Sequence, residues 1–229
     1  MSEPAKLDGT ALMALPDSLL VYRPAPAGTA GIEPFVLLEE SGRVYGFNGH
    51  VDLGTGVRTA LAQIVAEELD VALDRVTMIL GDTARTPDQG PTIASETIQT
   101  SAVPLRAAAA QARGHLLAIA ALRLGVGAEL GRLTVEDGVI CSTGDGRRLA
   151  YGELVRGRRE RLILDVATPV KAPASYRLVG TSVPRVDLPA KVTGELIYVH
   201  DVRLPGMLHG RVVRPPYAGS TPASSSAQA

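Results

Sequence analysis

Two small-residue loops hold the most chemical promise in this sequence. Gly54-Thr55-Gly56 opens an apolar-striped segment, and Gly90-Pro91-Thr92-Ile93-Ala94-Ser95 precedes a second one. Glycine lets a backbone approach a ligand closely, and a helix start offers free N–H groups at the positive end of its dipole. Such a junction can hold an anionic or polar ligand group. Each loop also has an ordinary reading, in which Thr55 caps a tight strand-to-helix turn and Thr92 or Ser95 caps the second helix. Neither is a dinucleotide fingerprint or a phosphate loop: Thr59, not glycine, stands three positions after Gly56, and no Gly-Lys-Ser/Thr follows.

The other reactive residue types are sparse. Asp82, Asp88 and Glu96 lie near the loops, and an acid/base pair requires two of them to converge. His50 precedes the first loop and either faces a ligand or is a surface or satisfied core residue. The four histidines lack H-x-x-x-H spacing, so no zinc site is expected from this chain. The single cysteine, Cys141, excludes an internal disulfide and a thiolate-held zinc or iron–sulfur site. No G-x-S-x-G signals a serine nucleophile. With 23 basic and 24 acidic side chains among 229 residues and 3% aromatics, a nucleic-acid partner is not expected. No run of 18 apolar residues predicts a membrane span. The N-terminus shows no secretory signal, which makes the cytoplasm the expected location.

The elements that must position these loops follow from periodicity. Residues 1–34, rich in Pro, Ala and Gly, read as an extended N-terminal arm. Phe35–Leu38 and Arg43–Phe47 read as a hairpin around Glu39-Glu40-Ser41-Gly42. Val57, Ala60, Leu61, Ile64, Val65 and Leu69 form one helical stripe, which puts Glu67, Glu68 and Asp70 on the wet side or near the end. Asp74–Leu80 reads as a buried strand and 83–94 as a loop. A second helical region spans 95–124, with a break or fresh start at Pro104 and a stop at Gly125. Asp137-Gly138 between β-formers predicts a two-residue hairpin. Arg156–Arg161 reads as a solvated basic turn. The Pro-rich stretch 166–189 reads as a linker, and Glu195–Val199 and His209–Val213 as strands. Residues 217–229 lack the composition for a core and are expected to be disordered. The fold class is α/β (α+β): a two-layer mixed sheet with packed helices.

Three ordered motifs together say more than any of them alone. They are Gly49 to Val71 (G-H-V-D-L-G-T-G onward), Gly81 to Ser95 (G-D-T-A-R-T-P-D-Q-G-P-T-I-A-S), and Tyr176 to Gly194 continuing through Tyr198 to Pro216. Their combination resembles the molybdopterin-binding subunit of molybdenum hydroxylases of the xanthine dehydrogenase and aldehyde oxidase type. The closest likeness is to the branch of nicotinate dehydrogenase and isoquinoline oxidoreductase. The resemblance covers roughly residues 35–216. It implies a molybdopterin-binding α/β segment at 35–165, a linker at 166–189 and the opening of an incomplete α/β hammerhead domain at 190–216.

The resemblance further implies a molybdenum cofactor, expected in its cytosine dinucleotide form, whose own dithiolene holds the metal. By motif matching, Gly54, Thr55 and Gly56 take the place of the loop beside the metal and pterin. Thr92, Ala94 and Ser95 take the place of the loop around the pterin and its phosphate. Many relatives have glutamine where Thr55 stands here, and threonine lacks that amide. The implied reaction is hydroxylation of an aromatic N-heterocycle or an aldehyde with oxygen from water. The family's catalytic glutamate belongs to a C-terminal portion beyond Ala229, so no catalytic residue is assigned to this chain. A shortened or split subunit is expected, working with that portion and with an iron–sulfur partner that carries 2Fe–2S clusters. It leaves an incomplete hammerhead, and residues 190–216 are expected to be poorly anchored. The alternative is a non-catalytic binding or assembly module, or an inactive relic.

Overall fold

The computed structural model describes residues 7–27, 31–127, 129–215 and 217–220. Most of the expected arm is not an arm. Helix α1 (Gly9–Ala14) starts on Asp8, whose side chain accepts from the Ala11 N–H. Strand β1 (Ser18–Pro24) then enters the middle of a sheet. Its neighbours are β2 (Ile32–Glu39), antiparallel, and β8 (Arg159–Ile163), parallel. One partner thus lies about 140 positions later in sequence, out of reach of any local pattern. Residues 1–6 and 28–30 of the expected arm lie outside the described residues.

The rest of the sheet follows the expected hairpin. Strand β2 pairs antiparallel with β3 (Val44–Asn48), which pairs parallel with β4 (Val76–Leu80), giving the order β4-β3-β2-β1-β8. Pro34 sits in the central β2, where a missing N–H costs a ladder bond. The register slips there, so that Val21 faces Val36 while Tyr22 faces Pro34. This bulge leaves Phe35 extra and turns it, with Val36, into the same core.

Alternation along the strands feeds two apolar clusters. Leu19, Val21, Val36 and Leu38 face helices α2 (Val57–Leu69) and α3 (Ala102–Leu124), whereas Leu20, Leu37 and Tyr45 face Leu12 of α1. Each fully buried leucine contributes about 1.5–3 kcal/mol. Ala107–Ala110 and Ala112 are buried, and these small side chains let α3 lie close to the sheet and to α2. Helix α3 ends as expected, with Gly125 left-handed and its N–H on the Ala121 and Leu122 carbonyls. Pro104 does not break it. A π turn at Thr97–Ser101 precedes α3, so Pro104 falls within the first α turn, where a missing N–H matters least.

A second, antiparallel sheet contains β5 (Leu133–Glu136), β6 (Val139–Ser142) and β7 (Arg148–Ala150). Asp137 and Gly138 both have positive φ in the first hairpin, as the Asp-Gly pair predicts. Helix α4 (Tyr151–Val155) follows, and the buried Tyr151 hydroxyl donates to the Leu69 carbonyl at 2.9 Å, tying this sheet to the end of α2.

Three of the four arginines in the basic stretch 156–161 are engaged. Arg156 pairs with Glu40 and Arg158 with Glu160. Arg161, read as part of a solvated turn, is half-buried in β8. It donates to the carbonyls of Leu12, Met13, Leu15 and Ser18, capping the end of α1. Burial pushes its guanidinium down to about 10.

Compact contacts divide the described chain at Asp187/Leu188. The later unit contains helix α5 (Leu188–Val192) and a 3-10 turn at Val199–Asp201. Neither Glu195–Val199 nor His209–Val213 forms a strand among the described residues. Val212 and Val213 are 76% and 93% exposed, and a β ladder needs a neighbouring strand to satisfy its N–H groups. Of the tail expected to be disordered, 221–229 lie outside the described residues.

One position in α3 is not optimised for stability. Gly114 is exposed, and a Cβ there would meet no heavy atom within 4 Å. Gly114→Ala is expected to stabilise the chain by about 0.5–1 kcal/mol, read as a raised urea midpoint with unchanged slope.

Candidate functional site

Parallel pairing of β3 and β4 explains why the two loops meet. Both strands end at the same side of the sheet, Asn48 beside Leu80, and the Gly81 N–H bonds the Asn48 carbonyl at 3.0 Å. Helix α2 connects the two strands, so the loop leaving β3 (49–56) and the loop leaving β4 (81–96) emerge side by side. Crevices of this kind beyond the carboxyl ends of parallel strands are common ligand sites.

Between them lies a pocket of about 390 Å³. Of the six predicted residues, Thr55, Gly56, Thr92, Ala94 and Ser95 line it. Gly54 is outside the lining but adjacent, with positive φ and open space above it. Ala94 and Ser95 both adopt left-handed backbone, rare for residues with side chains, which turns this loop sharply ahead of the π turn. Thr92 fastens one loop to the other by accepting the Val51 N–H at 2.9 Å. Apart from Thr97 the remaining lining is apolar, with Leu53, Ile93 and Ile98 73%, 58% and 46% exposed.

The start of α2 departs from the sequence reading. Its cap is Asp52, not Thr55. Asp52 Oδ1 accepts from the N–H groups of Gly54 (2.9 Å) and Gly56 (3.2 Å), and Oδ2 accepts from Arg58 (3.0 Å). Burial raises this carboxyl, but the Arg58, Gly54 and Gly56 donors outweigh it and hold the group below the ordinary aspartate range. Three of the N–H groups expected to be free are therefore already bound to a carboxylate. The signal was present as Asp-x-Gly, the pattern of an aspartate that bonds the backbone two residues on.

His50 is a satisfied core residue. It is 2% exposed, with Nε2 3.2 Å from the Gln89 carbonyl and Nδ1 2.8 Å from Thr97 Oγ1. A carbonyl only accepts, so Nε2 carries the proton, and in the neutral ring Nδ1 takes the Thr97 hydroxyl hydrogen. Around it, Asn48 and Gln89 both donate to the Ser101 carbonyl, and Gln89 Oε1 accepts from Gly49. This buried network locks the loop after β4 onto the π turn.

The three carboxylates near the loops do not line the pocket. Asp82 bonds Arg85, whose guanidinium, aided by the Ala84 N–H, holds it low. Asp88 accepts the Gly90 N–H, and Glu96 starts the π turn. Sequence reasoning missed Asp52, the π-turn residues Thr97 and Ile98, and Arg185. Arg185 donates to the Gly54 carbonyl at 2.9 Å while paired with Asp187.

A further departure lies along α2. Glu67 and Glu68, expected on the wet side, are 4% and 2% exposed. Glu67 Oε2 accepts the N–H groups of Arg177, Leu178 and Val179 at 2.7–3.0 Å. Glu68 bonds Arg106 and the Lys171 N–H, and Lys171 Nζ meets Asp70. They are buried because Arg106 and residues about a hundred positions later neutralise them. The stretch 166–187, read as part of a linker, is held on α2 by these bonds and by Gln63 donating to Leu178. Among the described residues no group of three or more His, Cys, Asp or Glu is placed to hold a metal ion. No described helix is long and apolar enough to cross a membrane.

Comparison with known proteins gives a consistent picture. The sequence profile of the molybdopterin cofactor-binding domain matches residues 22–190. The chain is 60% identical over 185 residues to a nicotinate dehydrogenase subunit of Pseudomonas putida, covering 81% of this chain and 15% of that one. It is 34% identical over 211 residues to the beta subunit of isoquinoline 1-oxidoreductase of Brevundimonas diminuta, covering 75% and 27%. Among solved structures, reconstituted CO dehydrogenase from Oligotropha carboxidovorans is similar at a TM-score of 0.46 and 22% identity, covering 60% of this chain and 18% of that one. The chain spans less than a third of the length of each of these curated relatives.

Proposed function

Because the chain belongs to the molybdopterin cofactor-binding domain family, we propose that it forms part of the cofactor cradle of a molybdenum hydroxylase of the nicotinate and isoquinoline oxidoreductase type. The observation that carries this reading is the pocket itself, in which two loops 36 positions apart converge on one crevice. The residues present fit an organic cofactor that brings its own metal ligands. The lining offers hydroxyls, left-handed backbone and apolar side chains rather than a metal-binding cluster.

In this reading Gly54, Thr55 and Gly56 lie against one side of the cofactor, and Thr92, Ala94 and Ser95 against the other. The open space over Gly54 admits a flat edge close to the backbone. Thr55 has a hydroxyl where a longer amide would reach further, so its contact is to the cofactor's near edge. Thr92 has its oxygen engaged as an acceptor of Val51 N–H, which leaves its hydroxyl hydrogen to donate. The His50 network keeps the second loop from opening. When bound, the cofactor supplies two-electron oxidation with oxygen taken from water.

The finer parts of the proposal concern the assembly. The cofactor is the cytosine dinucleotide form. Electrons leave through 2Fe–2S clusters on a partner subunit, since one cysteine cannot hold a cluster here. A C-terminal catalytic portion supplies the base and the rest of the pocket, the substrate is a small aromatic heterocycle or aldehyde, and the cytoplasm is the location.

The test is molybdenum and pterin content of the assembly purified from its native cell, with the co-purifying chains identified. Roughly stoichiometric metal and pterin are expected. Thr55→Trp, which fills the pocket beside Gly54, is expected to lower both by at least about tenfold while the complex still assembles. Purified assembly without pterin would replace this reading with a non-catalytic module.

A further inference from the structure

We propose that Asp52 closes the start of α2 to anions and makes the pocket between the two loops selective for an uncharged, largely apolar ligand group. The inference rests on the cofactor-binding reading and deepens it: the pocket takes the neutral ring edge of its ligand, and a phosphate or carboxylate is held elsewhere, not by Thr92, Ala94 and Ser95 as the family resemblance implies.

A helix start binds anions through free N–H groups and the positive end of the dipole. At α2 that role is filled from within, since both Asp52 oxygens are engaged by Gly54, Gly56 and Arg58. A second anion there would displace a carboxylate that three donors hold, and would meet its full charge. Asp187 stands close enough to add to the negative potential on Asp52.

The two arginines nearest this turn already have acceptors, and Arg185 lies on the turn itself, with its side chain against Gly56. Arg185 is committed to Asp187 through two bonds, Nε–Oδ1 at 3.0 Å and Nη2–Oδ2 at 2.7 Å, and to the Gly54 carbonyl. Arg58 gives its Nη1 to the Met78 carbonyl at 2.6 Å. None of the side chains lining the pocket is charged. Apart from Gly56, the lining is made of apolar side chains and the four hydroxyl residues Thr55, Thr92, Ser95 and Thr97. Desolvating a charge against such a wall is unfavourable, while a neutral ring gains both contact and hydrogen bonds.

The experiment follows backbone amide shifts of the isotope-labelled 229-residue chain during titration with three probes: inorganic phosphate, benzoate and benzamide. Benzoate and benzamide share size and ring and differ in charge. In the wild type, benzamide is expected to shift the amides of 53–57 and 93–98 saturably, and the two anions are not. Asp52→Ala frees the three N–H groups, and Asp52→Asn removes the charge with less disturbance. Either is expected to raise phosphate affinity at Gly54, Gly56 and Arg58 by about tenfold. Phosphate or benzoate binding the wild-type loop as tightly as benzamide would overturn the proposal. So would a wild type silent to benzamide, or folded variants with no gain for phosphate. If neither variant folds, the wild-type comparison decides alone. Pterin content of the native assembly separates the two readings: a benzamide-selective chain from a pterin-free assembly keeps this inference and ends the cofactor reading, and the reverse pair of results does the opposite.

Discussion

Glu67→Ala is expected to release residues 171–179 from helix α2 and to destabilise the chain by about 3–5 kcal/mol. The size follows from what is left behind. Three N–H groups, of Arg177, Leu178 and Val179, lose one shared acceptor, and Lys171 loses one of its partners. Buried donors without an acceptor cost the desolvation of each group. Glu67→Gln keeps the size and one acceptor oxygen, and is expected to cost about 1–2 kcal/mol. Urea denaturation reads the stability. Hydrogen exchange reads the location, with lost protection at 177–179 expected first. A Glu67→Ala chain with wild-type stability would show that the latch contributes nothing.

The same carboxylate sets a pH dependence. Burial alone would raise its pKa, but the N–H groups of Leu178, Val179 and Arg177, with the Lys171 ammonium, outweigh burial and leave it lowered. A group whose folded pKa is depressed binds fewer protons folded than unfolded. Its stabilisation is complete above the ordinary glutamate range and is lost as pH falls through the depressed value. Wild-type stability is therefore expected to fall below about pH 4, and Glu67→Gln to flatten that part of the profile.

Glu67 also shows where a sequence stops being legible. The stripe Val57 to Leu69 predicts helix α2 to the residue, because one face of a helix is a local pattern. Periodicity assigns every carboxylate to water. It does not see that Lys171, Arg106 and the 177–179 backbone arrive later to neutralise a buried pair. Strand β1 was hidden for the same reason: the prolines and glycines after it read as loop, and its parallel partner β8 lies far along the chain. The loops of the site were legible because each has its own small-residue signature. Their convergence was not, since it depends on β3 and β4 being parallel neighbours. Asp52 falls between these cases, with its signature in the sequence and its three-way bonding set by the αL turns at Gly54 and Gly56.

Gly49→Ala is expected to dismantle the pocket from beneath while leaving its lining residues unchanged. A Cβ at Gly49 would stand 2.2 Å from the Pro87 carbonyl oxygen and 3.2 Å from the Gln89 nitrogen. Both are backbone atoms, so no rotamer change relieves the clash. The loop after β4 must move outward, and Gln89 moves with it. That breaks the Gly49 N–H to Gln89 Oε1 bond, the Gln89 amide to Ser101 carbonyl bond and the Gln89 carbonyl contact of His50. These bonds hold Thr92, Ala94 and Ser95 opposite the α2 start. Overpacking of this kind costs about 3 kcal/mol. The contrast is Gly114→Ala, the same chemical change in open space, with the opposite sign. In Gly49→Ala the benzamide response of 93–98 is expected to weaken by about tenfold or more, because the pocket loses one wall. Exchange protection within α2 and β1 should persist, since neither packs against this loop through Gly49. A Gly49→Ala chain that binds benzamide as the wild type does would mean that the second loop holds its place without the His50 and Gln89 network, and that the Ala94–Ser95 turn alone shapes that wall.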